Sequence, residues 1–225
     1  MKNKISIING VFWTFIWFGF MLFYTFLDIY VWRDIAPTYE KYLNLISIVL
    51  CIIAFLALII KKKHLKIDLI GNISCHKILL SVSCAVLFYF LLDKCLDPVF
   101  EGIFPLSEES YQDELYTLAK TPVISLIQIC ILAPFIEEFL MRGFLLDGLT
   151  KNYGKRIALL VSAFLFALLH FNMVQTLSAF ICGIILGLLY FYTNSLFCCI
   201  ITHIGYNLIS YILVILPLIR GNINV

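Results

Sequence analysis

Seven predominantly apolar stretches recur along the 225-residue chain, and they leave it few folds to choose from. They run at about Ile8 to Leu27, Leu43 to Ile60, Lys77 to Leu92, Pro122 to Leu146, Ile157 to Phe171, Val174 to Tyr192 and Leu196 to Leu216. A helix needs ~20 residues to cross the ~30 Å hydrocarbon layer of a bilayer, so each run is near that length and some are short. In hydrocarbon the backbone must satisfy its own N–H and C=O groups, which a helix does within one segment. The expected fold is therefore all-α, a polytopic membrane helical bundle of about seven transmembrane helices. Composition agrees, with 62% apolar and 13% charged residues and a mean hydropathy of +1.00.

The first run follows Lys2 and Lys4 as a signal peptide would, but it is long, carries Trp13 and Trp17, and lacks a small-residue cleavage site. It reads as an uncleaved span. Lysine and arginine collect on the cytoplasmic side of membrane proteins. Lys2 and Lys4, the run Lys61-Lys62-Lys63-His64-Leu65-Lys66, and Lys151, Lys155 and Arg156 then share that side, which places the N-terminus in the cytoplasm. The loop from Asp93 to Lys120 holds seven acids against two lysines and falls outside. Within it Tyr111, Leu115 and Leu118 recur at helical spacing, as in a short, solvated surface helix. Ala179, Gly183 and Gly187 form a small-xxx-small ridge for close helix packing. Most of the eight cysteines lie in apolar runs without zinc-ligand spacing and read as small hydrophobes. The net charge of +2 and the lack of a basic block interleaved with aromatics give nucleic-acid binding no support. One integrated membrane domain is expected, with N-terminal transmembrane helices and the acidic outer loop in residues 1–120 and a helical core that carries the intramembrane charges in 121–217.

Chemistry concentrates in that core. The segment from Thr121 to Gly143 carries Glu137, Glu138 and Arg142 inside an apolar run, where an ionisable side chain is costly and is kept near water or function. Arg142 follows Glu138 by one helical turn, so the two can pair, and a structural ion pair is the favoured reading. Glu137 points about 100° away and has no partner on its own helix. The chain must turn back near Tyr153 and Gly154. Glu137 and His170 stand nearly equidistant from that turn, each roughly 20 to 25 Å along its helix, so they reach matching depth. His203 and Asn207 share one face of the last span, with His203 roughly 10 Å from the start of that span and somewhat nearer the cytoplasm. Singly, His170 reads equally as an interfacial histidine, and Asn207 reads more often as an interhelical hydrogen-bond donor than as a catalyst. Their conjunction with an unpaired Glu137 points to one polar constellation.

Written as patterns, these residues are EExxxR (Glu137, Glu138, Arg142), FxxxH (Phe166, His170) and HxxxN (His203, Asn207), in order on three membrane segments. The set resembles the CPBP family of intramembrane proteases, the CAAX prenyl endopeptidases and their bacterial relatives, often called the Abi family. The resemblance covers about Thr121 to Tyr211 and none of residues 1–120. It implies peptide-bond hydrolysis by an activated water in a wet cavity among the helices. Glu137 would be the general base, His170 would assist in activating the water, and His203 with Asn207 would stabilise the oxyanion. Glu138 and Arg142 would hold the glutamate-bearing helix. Relatives have been described both as metalloproteases and as glutamate-type proteases. Glu137, His170 and His203 could together hold a zinc ion (Zn) with an open position. The chain has no HExxH, and spending Glu137 as a ligand leaves only Glu138, already committed to Arg142, as a nearby base. No obligatory metal is expected.

The leading expectation is an endopeptidase of the bacterial cell membrane that cuts peptides or protein tails at the lipid bilayer. A non-catalytic immunity or scaffold protein that binds a partner through the same pocket is the alternative. A proton-coupled transporter would also use intramembrane Glu and His, but it predicts an inverted repeat that this sequence does not show.

Overall fold

The computed structural model describes residues 4–63, 69–71 and 73–223. Lys2, His64, Leu65 and Lys66, used above to orient the chain, lie outside the described residues, and so do the side chains of Lys63 and Tyr111. Among the described residues there is no strand, and the helices form eight rods. These are α1 (Ile7–Ile35), α2 (Pro37–Lys62), α3 (Cys75–Ile103), α4 (Pro105–Ala119), α5 (122–153), α6 (155–167), α7 (Met173–Thr193) and α8 (Leu196–Ile219). Six described helices are long and apolar enough to cross a membrane, and one of these is a 46-residue stretch from Pro122 to Ala167. That stretch breaks at Gly154, whose φ of 77° and ψ of 169° are non-helical. A positive φ costs glycine little, so the chain reverses where the sequence places its turn. α5 and α6 are thus two legs, which with the other five long helices give the bundle seven rods of alternating direction.

Contacts between loops sort the ends of the helices. Ile5 N–H donates to Gly148 O at 3.2 Å, and Asn152 Nδ2 donates to Ile5 O at 2.7 Å. The α7–α8 turn, with Asn194 left-handed at φ 48°, is roofed by the segment before α3. Ser195 Oγ donates to Ile70 O at 2.6 Å, and Lys77 Nζ caps Thr193 O at 2.8 Å. Gly71 (φ 62°) lies so close beneath that a Cβ there would stand 2.6 Å from Asn194 O. At the opposite end Asn172 caps α7 through Val174 and Gln175 and donates to Ser107 O at 2.6 Å.

Two expectations shift in detail. The outer segment is mostly helical, because α3 runs on to Ile103 and carries Asp93 and Asp97 within it. Tyr206 donates to Asp93 Oδ1 at 2.8 Å and Ser178 to Asp97, so each acid is tied to a neighbouring helix by a hydroxyl. The short helix α4 exists, but Leu115 is 4% exposed and packs with Ala119, Cys130, Tyr211 and Ile215, so one face of it is covered rather than solvated. The glycine ridge is where α7 meets α6: a Cβ on Gly183 would stand 3.0 Å from Ala163 Cα.

Candidate active site

Glu137 and Glu138 lie in a short regular stretch of α5 between two wider turns, Ile127–Leu132 and Phe139–Leu146. Such i→i+5 turns insert a residue into the register and re-aim the side chains beyond them. Pro134 accounts for the first. Ala133 N–H already bonds Gln128 O in the wide pattern, so the next carbonyl, Ile129, would look to residue 134, a proline without an N–H. Asn207 Nδ2 supplies the missing donor at 2.9 Å. One proline thereby draws α8 against α5 at the level of the site.

Glu138 is fully buried. Its Oε1 accepts from Arg142 Nη1 at 2.8 Å and from His203 Nδ1 at 2.9 Å. Arg142, also buried, donates through Nη2 to Gly183 O at 3.2 Å, and its guanidinium lies 4.8 Å from the centre of the Phe166 ring. The close approach that Gly183 permits is what brings a backbone carbonyl within the arginine's reach. Phe166 presents its edge or face to both imidazoles, with centroids 5.1 Å from His170 and 5.9 Å from His203. It is the hub of the FxxxH pattern, and its steric role is invisible in the spacing.

Since a carboxylate only accepts, His203 carries its proton at Nδ1 and turns Nε2 towards Glu137 Oε2, 3.8 Å away. His170 Nδ1 lies 3.1 Å from Phe166 O, an acceptor, so its proton is also on Nδ1 and its Nε2 is left as an acceptor. Glu137 keeps 18% of its side chain exposed and forms no direct hydrogen bond among the described residues. Glu137, His170, His203 and Asn207 all line one cavity of about 850 Å³. The histidine that counting places nearer the cytoplasm is level with the glutamates, because the buried α7–α8 turn sets the start of α8 inside the protein (Thr193, Ser195, Cys198 and Cys199 are each 0% exposed).

The candidate zinc ligands are less well gathered. Among the described residues no three His, Cys, Asp or Glu side chains are arranged to hold a metal ion. His203 donates Nδ1–H to Glu138 and turns Nε2 towards Glu137 at 3.8 Å, so these two alone are near enough to share an ion. The Glu137, His170 and His203 set is not gathered as a three-ligand site, and the chemistry proposed for it uses these side chains alone. The contact between Glu138 and His203 is the feature sequence reasoning missed. Spacing marks both residues but assigns the Glu138 carboxylate to the arginine at i+4.

Residues 119–209 match a family model, Rce1-like, described as type II CAAX prenyl endopeptidase Rce1-like. The matched stretch contains all three motifs and the whole Glu138, Arg142 and His203 cluster. No curated protein and no solved structure matches the chain.

Proposed function

We propose, on the premise that residues 119–209 belong to the Rce1-like family of CAAX-type endopeptidases, that this membrane protein hydrolyses peptide bonds with a water activated by Glu137. The observation that carries the reading is the 3.8 Å gap between Glu137 Oε2 and His203 Nε2 in a cavity whose neighbouring carboxylate is already committed. A carboxylate and an imidazole Nε2 lone pair both accept, so neither satisfies the other and both are open to a water in the cavity.

A water held by Glu137, with its second hydrogen on His170 Nε2, is positioned to attack. Its oxygen bonds the carbonyl carbon while Glu137 takes the proton and the carbonyl π pair moves onto oxygen. Glu137 and Glu138 bring two negative charges, and Arg142 brings one positive. Uptake of a second proton at Nε2 from the cavity would balance the four charges and give His203 an Nε2–H for the developing oxyanion. The second amide hydrogen of Asn207, whose first is held by Ile129, completes the donor pair. Donors fixed in a site of low dielectric contribute most where charge develops. Collapse breaks the C–N bond, and the proton on Glu137 passes to the leaving amine. The substrate class that follows is a peptide or protein tail presented at the bilayer.

The test is Glu137→Gln. Purified protein in lipid nanodiscs is incubated with a proteome-derived peptide library, with and without chelator, and products are read by mass spectrometry. Cleavage should fall by about 10²- to 10⁴-fold, the range for loss of a general base, with folding and insertion unchanged. A binding-only immunity or scaffold protein would keep its phenotype in the same variant, and undiminished cleavage would remove Glu137 from the mechanism.

A further inference from the structure

The cavity has a second polar wall that the three motifs do not account for. It is built by α1, α2 and the start of α5. The faces of α1 and α2 turned to the cavity are mostly apolar, with Trp17 and Met21 on one and Ile48 and Ile52 on the other. Three polar side chains stand on this wall: Tyr24 on α1, Asn44 on α2 and Gln128 on α5. Asn44 Oδ1 is buried without a hydrogen-bond partner. The side chains of Tyr24 and Gln128 form no hydrogen bond among the described residues, and Tyr24 lies within electrostatic reach of Glu137. A buried, unmade hydrogen bond is costly enough to need an explanation.

The three are staggered in depth. Counting at ~1.5 Å per residue from the outer helix ends at Ile35, Pro37 and Pro122, Gln128 and Asn44 lie roughly 10 Å down, Tyr24 roughly 16 Å, and Glu137 roughly 22 Å. Residues 122–126 pack against α2, which keeps those outer ends together. The track from Asn44 to Glu137 is therefore ~12 Å long, the reach of about four residues of extended chain at ~3.3 Å each. A peptide drawn into a membrane-embedded cavity brings one donor and one acceptor per residue, and hydrocarbon offers them nothing. A primary amide supplies both partners, and a phenol does the same.

We infer that Tyr24, Asn44 and Gln128 form a main-chain binding track that holds an extended peptide segment of about four residues between the outer mouth of the cavity and Glu137. This deepens the protease reading and rests on it. It gives the N-terminal helices, which match no motif, a role in holding substrate. Recognition is of backbone amides rather than side chains, so the track tolerates many sequences but demands an extended, unmethylated main chain.

The experiment separates binding from cleavage by using the Glu137→Gln protein in nanodiscs. Peptides from the same library that it retains are identified. The strongest is resynthesised with a fluorophore and with single N-methyl groups at each successive residue. Anisotropy titrations are run on Glu137→Gln alone and with Asn44→Leu or Tyr24→Phe added. At one or two of about four contiguous positions, N-methylation should weaken binding roughly tenfold. Asn44→Leu should weaken the parent peptide by a similar factor and abolish the further penalty at its own position, as expected for two members of one contact. Tyr24→Phe, which keeps the ring, should do the same one or two residues nearer the cut. Methyl penalties unchanged in both variants, or no retained peptide, would overturn the track. Retention with these position-specific losses, alongside a wild-type enzyme that cleaves nothing, would sink hydrolysis and leave the track standing.

Discussion

Two adjacent glutamates divide their work according to where the helix points them. Glu138 faces the protein and holds Arg142 and His203, whereas Glu137 faces the cavity with nothing bonded to it. Their amide substitutions should therefore fail in different ways. Glu138→Gln leaves a buried guanidinium without its counter-charge, a change that costs about 3 to 5 kcal/mol in comparable buried pairs. Glu137→Gln should leave the thermal midpoint of the detergent-solubilised protein within a degree or two, while Glu138→Gln lowers it steeply. Equal midpoints would mean that the buried cluster is not what holds α5 and α8 together. The pairing of Glu138 with Arg142 was legible because i,i+4 geometry comes with any helix. The bond from Glu138 to His203 was not, because it depends on how deep α8 begins and on a register set by Pro134, which residue counts do not capture.

Helix packing also turns on where two backbones meet. Gly183 and Gly187 sit on one ridge of α7 and look alike in the sequence, yet a Cβ at each would meet different matter. At Gly183 it meets Ala163 Cα at 3.0 Å, and at Gly187 it meets the end of the Leu159 side chain, Cδ1, at 2.3 Å. The nearer clash is the more easily relieved, since a partly exposed leucine can rotate and a helix backbone cannot. Gly183→Ala should cost about 1 to 3 kcal/mol, the usual range for overpacking, and should disturb the Gly183 carbonyl that receives Arg142. Gly187→Ala should cost less than Gly183→Ala. Thermal denaturation of the two variants in one detergent checks the order, and the reverse order would show that α6 yields where its contacts say it is fixed. The ridge itself was readable from the spacing of small residues. The ends of the rods were less so, because hydropathy marks where a helix leaves hydrocarbon and not where it stops. α1 runs on through Asp28 to Ile35, and α3 runs on through Asp93 to Ile103.

Seven rods of alternating direction place the start of α1 and the end of α8 at opposite ends of the molecule. The contacts of Ile5 with Gly148 and Asn152 put the N-terminal segment beside the α5–α6 turn. That end also carries Lys61 and Lys62 at the close of α2, with Lys151, Lys155 and Arg156 around Gly154. The other end carries Glu101, Glu109 and Asp113. The bundle is thus polarised by charge as well as by connectivity, and positive charge is retained on the cytoplasmic side of short loops. A phosphatase fused after α8 should be active and a fluorescent protein fused there dark, with the opposite pair of results for fusions before α1. Matching signals at both ends would mean an even number of passes, in which case α6 does not cross. That outcome is a sharp one, because α6 has 13 residues from 155 to 167. At ~1.5 Å each they reach about 20 Å, short of a full crossing. The segment 168–172 must cover the remaining depth, which sets His170 below the outer surface and within the same cavity as Glu137. A short sixth rod and a membrane-embedded site are therefore one structural fact, and the fusion pair tests both.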